Sequence, residues 1–189
     1  MRDTDIRREL NRSVIEPHRH QPDTIVVEEL VLSQGECRID LAVVNGELSG
    51  WEIKSDRDTL ARLPRQVELY GEVFDRVTLV TGTRLAQAAS IQVPKWWGIM
   101  IVTDDPAEPL SMVRPAALNR AVKPEKLVQL LWRDELTHIL RRDGRMNGLA
   151  RAPKRVLWDS LATSLSLSQL KDEVRSCLKA RTDWRVAEV

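Results

Sequence analysis

The sequence predicts an α/β domain, a mixed sheet flanked by helices, followed by a helical region. Three observations carry that prediction. Apolar segments of strand length, rich in β-branched residues, lie at 37–44, 48–54, 76–81 and 98–103. Apolar residues recur at helical spacing over 4–16, 64–74 and 84–92, so helices and strands interleave as in a sheet covered on its faces. Beyond Pro115 only helical patterns follow, at 124–141, 153–163 and 167–180. At 189 residues the chain is long enough for one ordinary domain over 1–115 and a smaller helical appendage over 116–189.

The elements follow in order. Residues 4–16 read as a helix capped at Thr4 or Asp5, with Ile6, Leu10 and Val14 on one face toward the sheet. His18-Arg19-His20-Gln21-Pro22 reads as a connector; a His-x-His pair can ligate metal, but no other soft ligand stands near it. The helix at 64–74 tolerates Pro64 in its first turn, and Leu110 to Val113 reads as an edge strand. Trp51, Trp132 and Trp158 are expected in the core, His138 on a helix surface, and the Trp96-Trp97 pair either stacked on a base or packed at a strand entrance.

The residues that carry chemistry lie in 38–54. One apolar strand delivers a single acid, Asp40, and the next ends in Glu52-Ile53-Lys54, with Lys54 on the same face as Glu52. A hard cation such as Mg²⁺ takes oxygen ligands and keeps several waters, so one or two carboxylates hold it against a phosphate. Such an ion acidifies water and offsets phosphate charge, and a nearby ammonium orients water or stabilises the developing anion.

These stretches, with Val27-Glu28-Glu29-Leu30 before them and Gln66-Val67-Glu68-Leu69-Tyr70 after, resemble the PD-(D/E)XK nuclease superfamily, in particular a small bacterial and phage branch of it. The resemblance covers about Ile25 to Thr81 and implies a restriction-endonuclease-like αβββαβ core. Asp40 follows Ile39 where the superfamily's name has proline, a common departure. Carried over, it implies Mg²⁺ or Mn²⁺ held at Asp40, Glu52 and Ile53, with Lys54 acting on water or charge and Glu29 (or Glu28), from a preceding helix, assisting. The Gln-x-x-x-Tyr pair is similar to one in RecB-like exonucleases; Gln66, with Tyr70 and Arg62 on the same helix face, is expected to position the substrate backbone.

The hairpin between the two catalytic strands tests this reading. Asn45-Gly46 is the favoured signal for a two-residue turn, which would set Val44 opposite Glu47 and put Asp40 and Glu52 on opposite faces. A shared site demands a one-residue change of register, as in a three-residue loop Val44-Asn45-Gly46 with Gly46 left-handed. That register sorts Ile39, Leu41, Val43, Trp51 and Ile53 onto one apolar face and Asp40, Glu52 and Lys54 onto the other.

Composition excludes more than it selects. A net charge of +1 denies the chain a globally basic character, yet 141–155 holds six basic residues against one acid. Arg151, Lys154 and Arg155 in that window are candidate phosphate contacts, and the surrounding helices loosely resemble a SAP-type DNA-binding module. Cys37 and Cys177 form no disulfide framework, no apolar run approaches the roughly 20 residues of a membrane span, and the start is too polar for a signal peptide. The expectation is a cytoplasmic Mg²⁺- or Mn²⁺-dependent deoxyribonuclease whose partner is DNA, with no membrane and with a homo-oligomer compatible. The rivals are a non-catalytic nucleic-acid-binding protein and a phage or repair accessory protein on the same fold.

Overall fold

The structure, a computed structural model, describes residues 1–182; residues 183–189, the end of the expected appendage, lie outside the described part. The chain opens with α1 (Asp3–Leu10), a π-helical turn (Asn11–Ile15) and α2 (Glu16–Arg19), where a single uniform helix was expected. Pro17 supplies the reason: it has no N–H for the carbonyl four residues back and its ring crowds that carbonyl, so the helix widens just before it. Nor do Thr4 and Asp5 precede the helix as caps. Asp5 sits in the first turn, and its carboxylate accepts the Arg2 N–H at 3.1 Å.

Six strands follow: β1 (Ile25–Leu32), β2 (Cys37–Val44), β3 (Leu48–Lys54), β4 (Arg76–Gly82), β5 (Gly98–Val102) and β6 (Leu110–Arg114). They lie side by side in chain order, antiparallel from β1 to β3, parallel from β3 to β5, and antiparallel again at β6. The parallel pairs need crossovers, supplied by α3 (Leu63–Gly71) and α4 (Thr83–Ser90). β4 is buried on both faces, hence its unbroken apolar run Val77 to Val80 around a buried Thr78. Strand β1 corrects the resemblance, which puts Glu28 and Glu29 on a helix. Val27, Leu30 and Leu32 instead bury a strand edge-on against β2.

The hairpin has the required change of register by a different loop. Val44 stands opposite Leu48 and Leu41 opposite Trp51, so three residues, Asn45-Gly46-Glu47, make the turn. Asn45 Oδ1 accepts the Glu47 N–H at 3.0 Å, an Asx turn that holds the loop without Gly46 entering the left-handed region.

Sheet alternation breaks at the site, as the register also does at the β5–β6 edge between Ile99 and Met100. Glu29 stands across from Asp40, between the paired positions Glu28–Leu41 and Leu30–Ile39, and its φ is +56°. That backbone costs a non-glycine residue about 1 kcal/mol or more. Val27 and Ala42 face one side before the break, and after it Leu30 and Ile39 face that same side. Ile39 therefore leaves the face of Leu41, Val43, Trp51 and Ile53 where periodicity placed it, and covers Gly50, where a Cβ would stand 2.3 Å from Ile39 Cδ1.

Two cores result. Ile6, Leu10 and Ile15 pack on Leu41, Val43, Trp51, Ile53, Val80 and Met100. The other face carries α3 together with α5 (Pro124–Leu127), α6 (Arg133–Arg142), α7 (Lys154–Ser164) and α8 (Leu167–Ala180), so the helices after 115 share one core with the strands. Asn119 ties the junction, donating to the Gly71 and Phe74 carbonyls at 2.7 and 2.8 Å. The helix expected over 124–141 is interrupted at Leu131 and Trp132, because Glu135 reaches back to the Trp132 N–H at 2.6 Å and starts α6 afresh. Trp132, expected in the core, is exposed beneath the Arg181 guanidinium, 4.1 Å from the ring centroid. Trp97 is wholly buried and stacks on Tyr70, which removes it from any role in stacking a base.

Candidate active site

Where β2 and β3 part beyond Leu41 and Trp51, a cleft of about 520 Å³ opens between α1 and α3. Asp40, Glu52, Ile53, Lys54, Glu29, Gln66 and Arg62 all line it. The ladder stops at Asp40, and the carboxylate replaces a main-chain acceptor: Oδ2 takes the Ile53 N–H at 2.7 Å. This fixes Asp40 beside Glu52, the residue that the hairpin register brings next to it.

Glu52 is 2% exposed and Lys54 4%. Lys54 Nζ pairs with Glu52 Oε1, which also accepts the Gln66 Nε2 hydrogen at 2.6 Å. Glu52 Oε2 lies 2.7 Å from the Tyr70 hydroxyl, which is also 2.8 Å from the Arg38 carbonyl; with one proton to donate, the hydroxyl favours the charged oxygen. Burial pushes the Glu52 carboxyl above its usual range, Lys54 offsets part of that, and the charge of Asp40 adds to it. Tyr70 is raised in turn by burial and by the Glu52 charge, so it stays a donor.

Gln66 and Tyr70 therefore grip Glu52. They are one turn apart on α3 and reach the same carboxylate, Gln66 Nε2 lying 3.3 Å from the Tyr70 oxygen. Tyr70, expected at the substrate backbone, is wholly buried and has no surface to offer nucleic acid. Gln66 keeps one buried atom without a partner among the described residues, Oε1, at the cleft wall. Tyr70→Phe should lower stability by roughly 1–3 kcal/mol in thermal unfolding, since the buried Glu52 carboxylate loses a donor. An unchanged melting temperature would mean that the hydroxyl holds nothing.

Of the two neighbouring acids, Glu29 turns into the cleft and Glu28 turns away to Arg19, at 3.1 Å. Arg62 sits at the rim as the residue before α3. Arg151, Lys154 and Arg155 contribute nothing to the cleft wall. Arg151 and Arg155 are exposed, whereas Lys154 is half-buried with its ammonium 4.8 Å from the Trp158 ring centroid, and burial lowers its pKa. Sequence reasoning missed three groups at the site. Arg7 of α1 donates to Asp40 Oδ1 at 2.8 Å, Arg38 pairs with Glu29, and the half-buried Cys37 thiol, raised by burial, lines the wall. For Arg7 the signal was its place one residue past Ile6 on an amphipathic helix, at the margin of the buried stripe.

The family described as bacteriophage P4 protein cII matches residues 4–185, nearly the whole chain. The chain belongs to that family. Among its relatives is protein cII of Enterobacteria phage P4, 26% identical over 160 residues, a match covering 84% of this chain and 60% of that protein. The chain thus spans about three-fifths of the length of this phage relative. Two solved structures are similar to this chain at a low level. A protein of unknown function from Silicibacter pomeroyi is 21% identical with a TM-score of 0.47, covering 81% of this chain and 96% of that one. Pyrococcus furiosus SfsA in complex with Ca²⁺ is 13% identical with a TM-score of 0.30, covering 61% of each chain. Neither likeness bears on what this cII-family member does. No helix among the described residues is long and apolar enough to cross a membrane.

Proposed function

We propose that this cII-family protein is a metal-dependent nuclease that hydrolyses DNA phosphodiester bonds. The observation that carries the reading is the Glu52–Lys54 pair, buried at the floor of an open cleft beside Asp40. A buried ion pair stabilises a fold poorly, because desolvation offsets the attraction, so its presence in a cleft favours a chemical role. The residues fit a hard divalent cation. Asp40 and Glu52 offer oxygens only, Ile53 adds a main-chain carbonyl, and the buried Gln66 Oε1 would accept from a bound water.

Mg²⁺ or Mn²⁺, when bound, would acidify water and offset phosphate charge. The remaining work falls to the chain itself. Tyr70 and Gln66 hold the Glu52 carboxylate in one orientation, Lys54 places a positive charge where the attacked phosphate gains negative charge, and Arg62 reaches phosphate at the rim. Linear, circular and single-stranded DNA incubated with Mg²⁺ or Mn²⁺ tests the reading against Asp40→Ala. Cleavage by the wild type alone supports it; intact DNA in every arm rejects it.

The basic window 141–155 supports binding of DNA beyond the cleft. Neutralising Arg151, Lys154 and Arg155 should weaken duplex binding and flatten its salt dependence by about 0.9 in log–log slope for each phosphate no longer neutralised. Lys154, turned toward Trp158, should contribute least. Unchanged affinity and slope would reduce the window to a solvated helix connection.

A second reading has one observation in its favour. Arg7 and Lys54 already balance Asp40 and Glu52, as in a phage accessory or nucleic-acid-binding protein that keeps the fold without the chemistry. Salt-sensitive DNA binding without cleavage in either metal would decide for it.

A further inference from the structure

Asp40 already has a cation beside it. One Arg7 guanidinium nitrogen lies 2.8 Å from Asp40 Oδ1 and 3.4 Å from Glu29 Oε1, and Nε lies 3.5 Å from Asp3 Oδ2. With Oδ2 bonded to the Ile53 N–H and both Glu52 oxygens engaged, Oδ1 is the Asp40 oxygen that faces the cleft from under Arg7. A divalent ion on the second lone pair of that oxygen would stand close to the guanidinium, and the two positive charges oppose each other's binding.

Resting on the nuclease reading, we propose that Arg7 competes with the divalent cation for Asp40, so that the N-terminal helix guards the site until its arginine is displaced. The parts suit an exchange. Arg7 is a quarter exposed and its alternative partner Asp3, four residues before it on α1, is half exposed, so the guanidinium can leave Asp40 without leaving charge compensation. Ile6 and Leu10 keep α1 docked meanwhile. Among the described residues the cations paired with the three acids are Arg7 itself, Arg38 on Glu29 and Lys54 on Glu52, with Arg62 and Arg65 elsewhere on the cleft wall; Arg7 is the one on Asp40. The buried Gln66 Oε1, without a partner among the described residues, belongs to a side chain that lines the same cleft and offers a further acceptor there.

Binding of Mn²⁺ to the full chain, followed by calorimetry, tests the competition in the wild type, Arg7→Gln and Asp40→Asn. Loss of a charge-assisted competitor should tighten Mn²⁺ about tenfold in Arg7→Gln, and Asp40→Asn should bind none. A second readout follows the wild type itself. The Arg7 side-chain N–H resonance of the wild type, identified by its absence in Arg7→Lys, should shift with Mg²⁺ and saturate along the binding curve. Equal or weaker binding in Arg7→Gln, or a resonance indifferent to Mg²⁺ while Asp40→Asn abolishes binding, overturns the competition and leaves the nuclease reading standing. Failure of both wild type and Arg7→Gln to bind Mn²⁺ overturns the two together.

Discussion

Replacing Asp40, Glu52 or Lys54 by alanine is expected to lower metal-dependent DNA cleavage by roughly a thousandfold or more, because each removes a group that acts on charge in the transition state. The three variants should part company in stability. Asp40→Ala frees Arg7, which has Asp3 and Glu29 within reach, and leaves the Ile53 N–H without its acceptor, a loss of roughly 1–3 kcal/mol. Glu52→Ala leaves Lys54 charged, buried and without its carboxylate, a loss on the order of 3–5 kcal/mol. Repulsion between neighbouring carboxylates would by itself make removal of either one stabilising. The geometry of Lys54 reverses that for Glu52, and makes Asp40→Ala the cleaner probe of activity. Undiminished cleavage by any two of the three, measured below their melting temperatures, would remove the site assignment.

The second large effect is expected far from the cleft. Asp75 is 3% exposed; its Oδ2 accepts the Leu48 N–H at 2.8 Å and its Oδ1 pairs with Lys171 of α8 at 2.6 Å, with Arg175 at 3.7 Å from Oδ2. Asp75→Ala strands a buried amide at the start of β3 and the largely buried Lys171 ammonium at once, while Arg175 keeps Asp172. A loss of about 3 kcal/mol or more in denaturant unfolding is expected, in one cooperative transition, because α8 and the sheet share a core. A change under about 1 kcal/mol would show that α8 is held by apolar packing alone.

Much of this arrangement is legible in the sequence, and the exceptions have physical causes. Strands β2 to β5 announce themselves because burial on one or both faces leaves apolar runs of strand length. The hairpin register followed from requiring Asp40 and Glu52 on one face, although the loop proved to be Asn45-Gly46-Glu47. Strand β1 was hidden because Glu28-Glu29 interrupts the apolar alternation where Glu29 bends the backbone toward the cleft. The same bend moved Ile39 across the sheet, a change of parity that no periodicity contains. Gln66 and Tyr70 came from the resemblance to the Gln-x-x-x-Tyr motif, and Tyr70 was misread in direction, since i, i+4 neighbours share a face without revealing whether it looks inward. Arg7 lies 33 residues before its partner Asp40, and only the docking of α1 joins them.

The most direct test of the account is diffraction from crystals soaked in Mn²⁺, with anomalous differences collected at the manganese edge. The account predicts one strong peak in the cleft, about 2.1–2.2 Å from carboxylate oxygens of Asp40 and Glu52, with the Arg7 guanidinium withdrawn from Asp40 Oδ1. A cleft without a peak, or manganese bound elsewhere while Arg7 stays on Asp40, would contradict it.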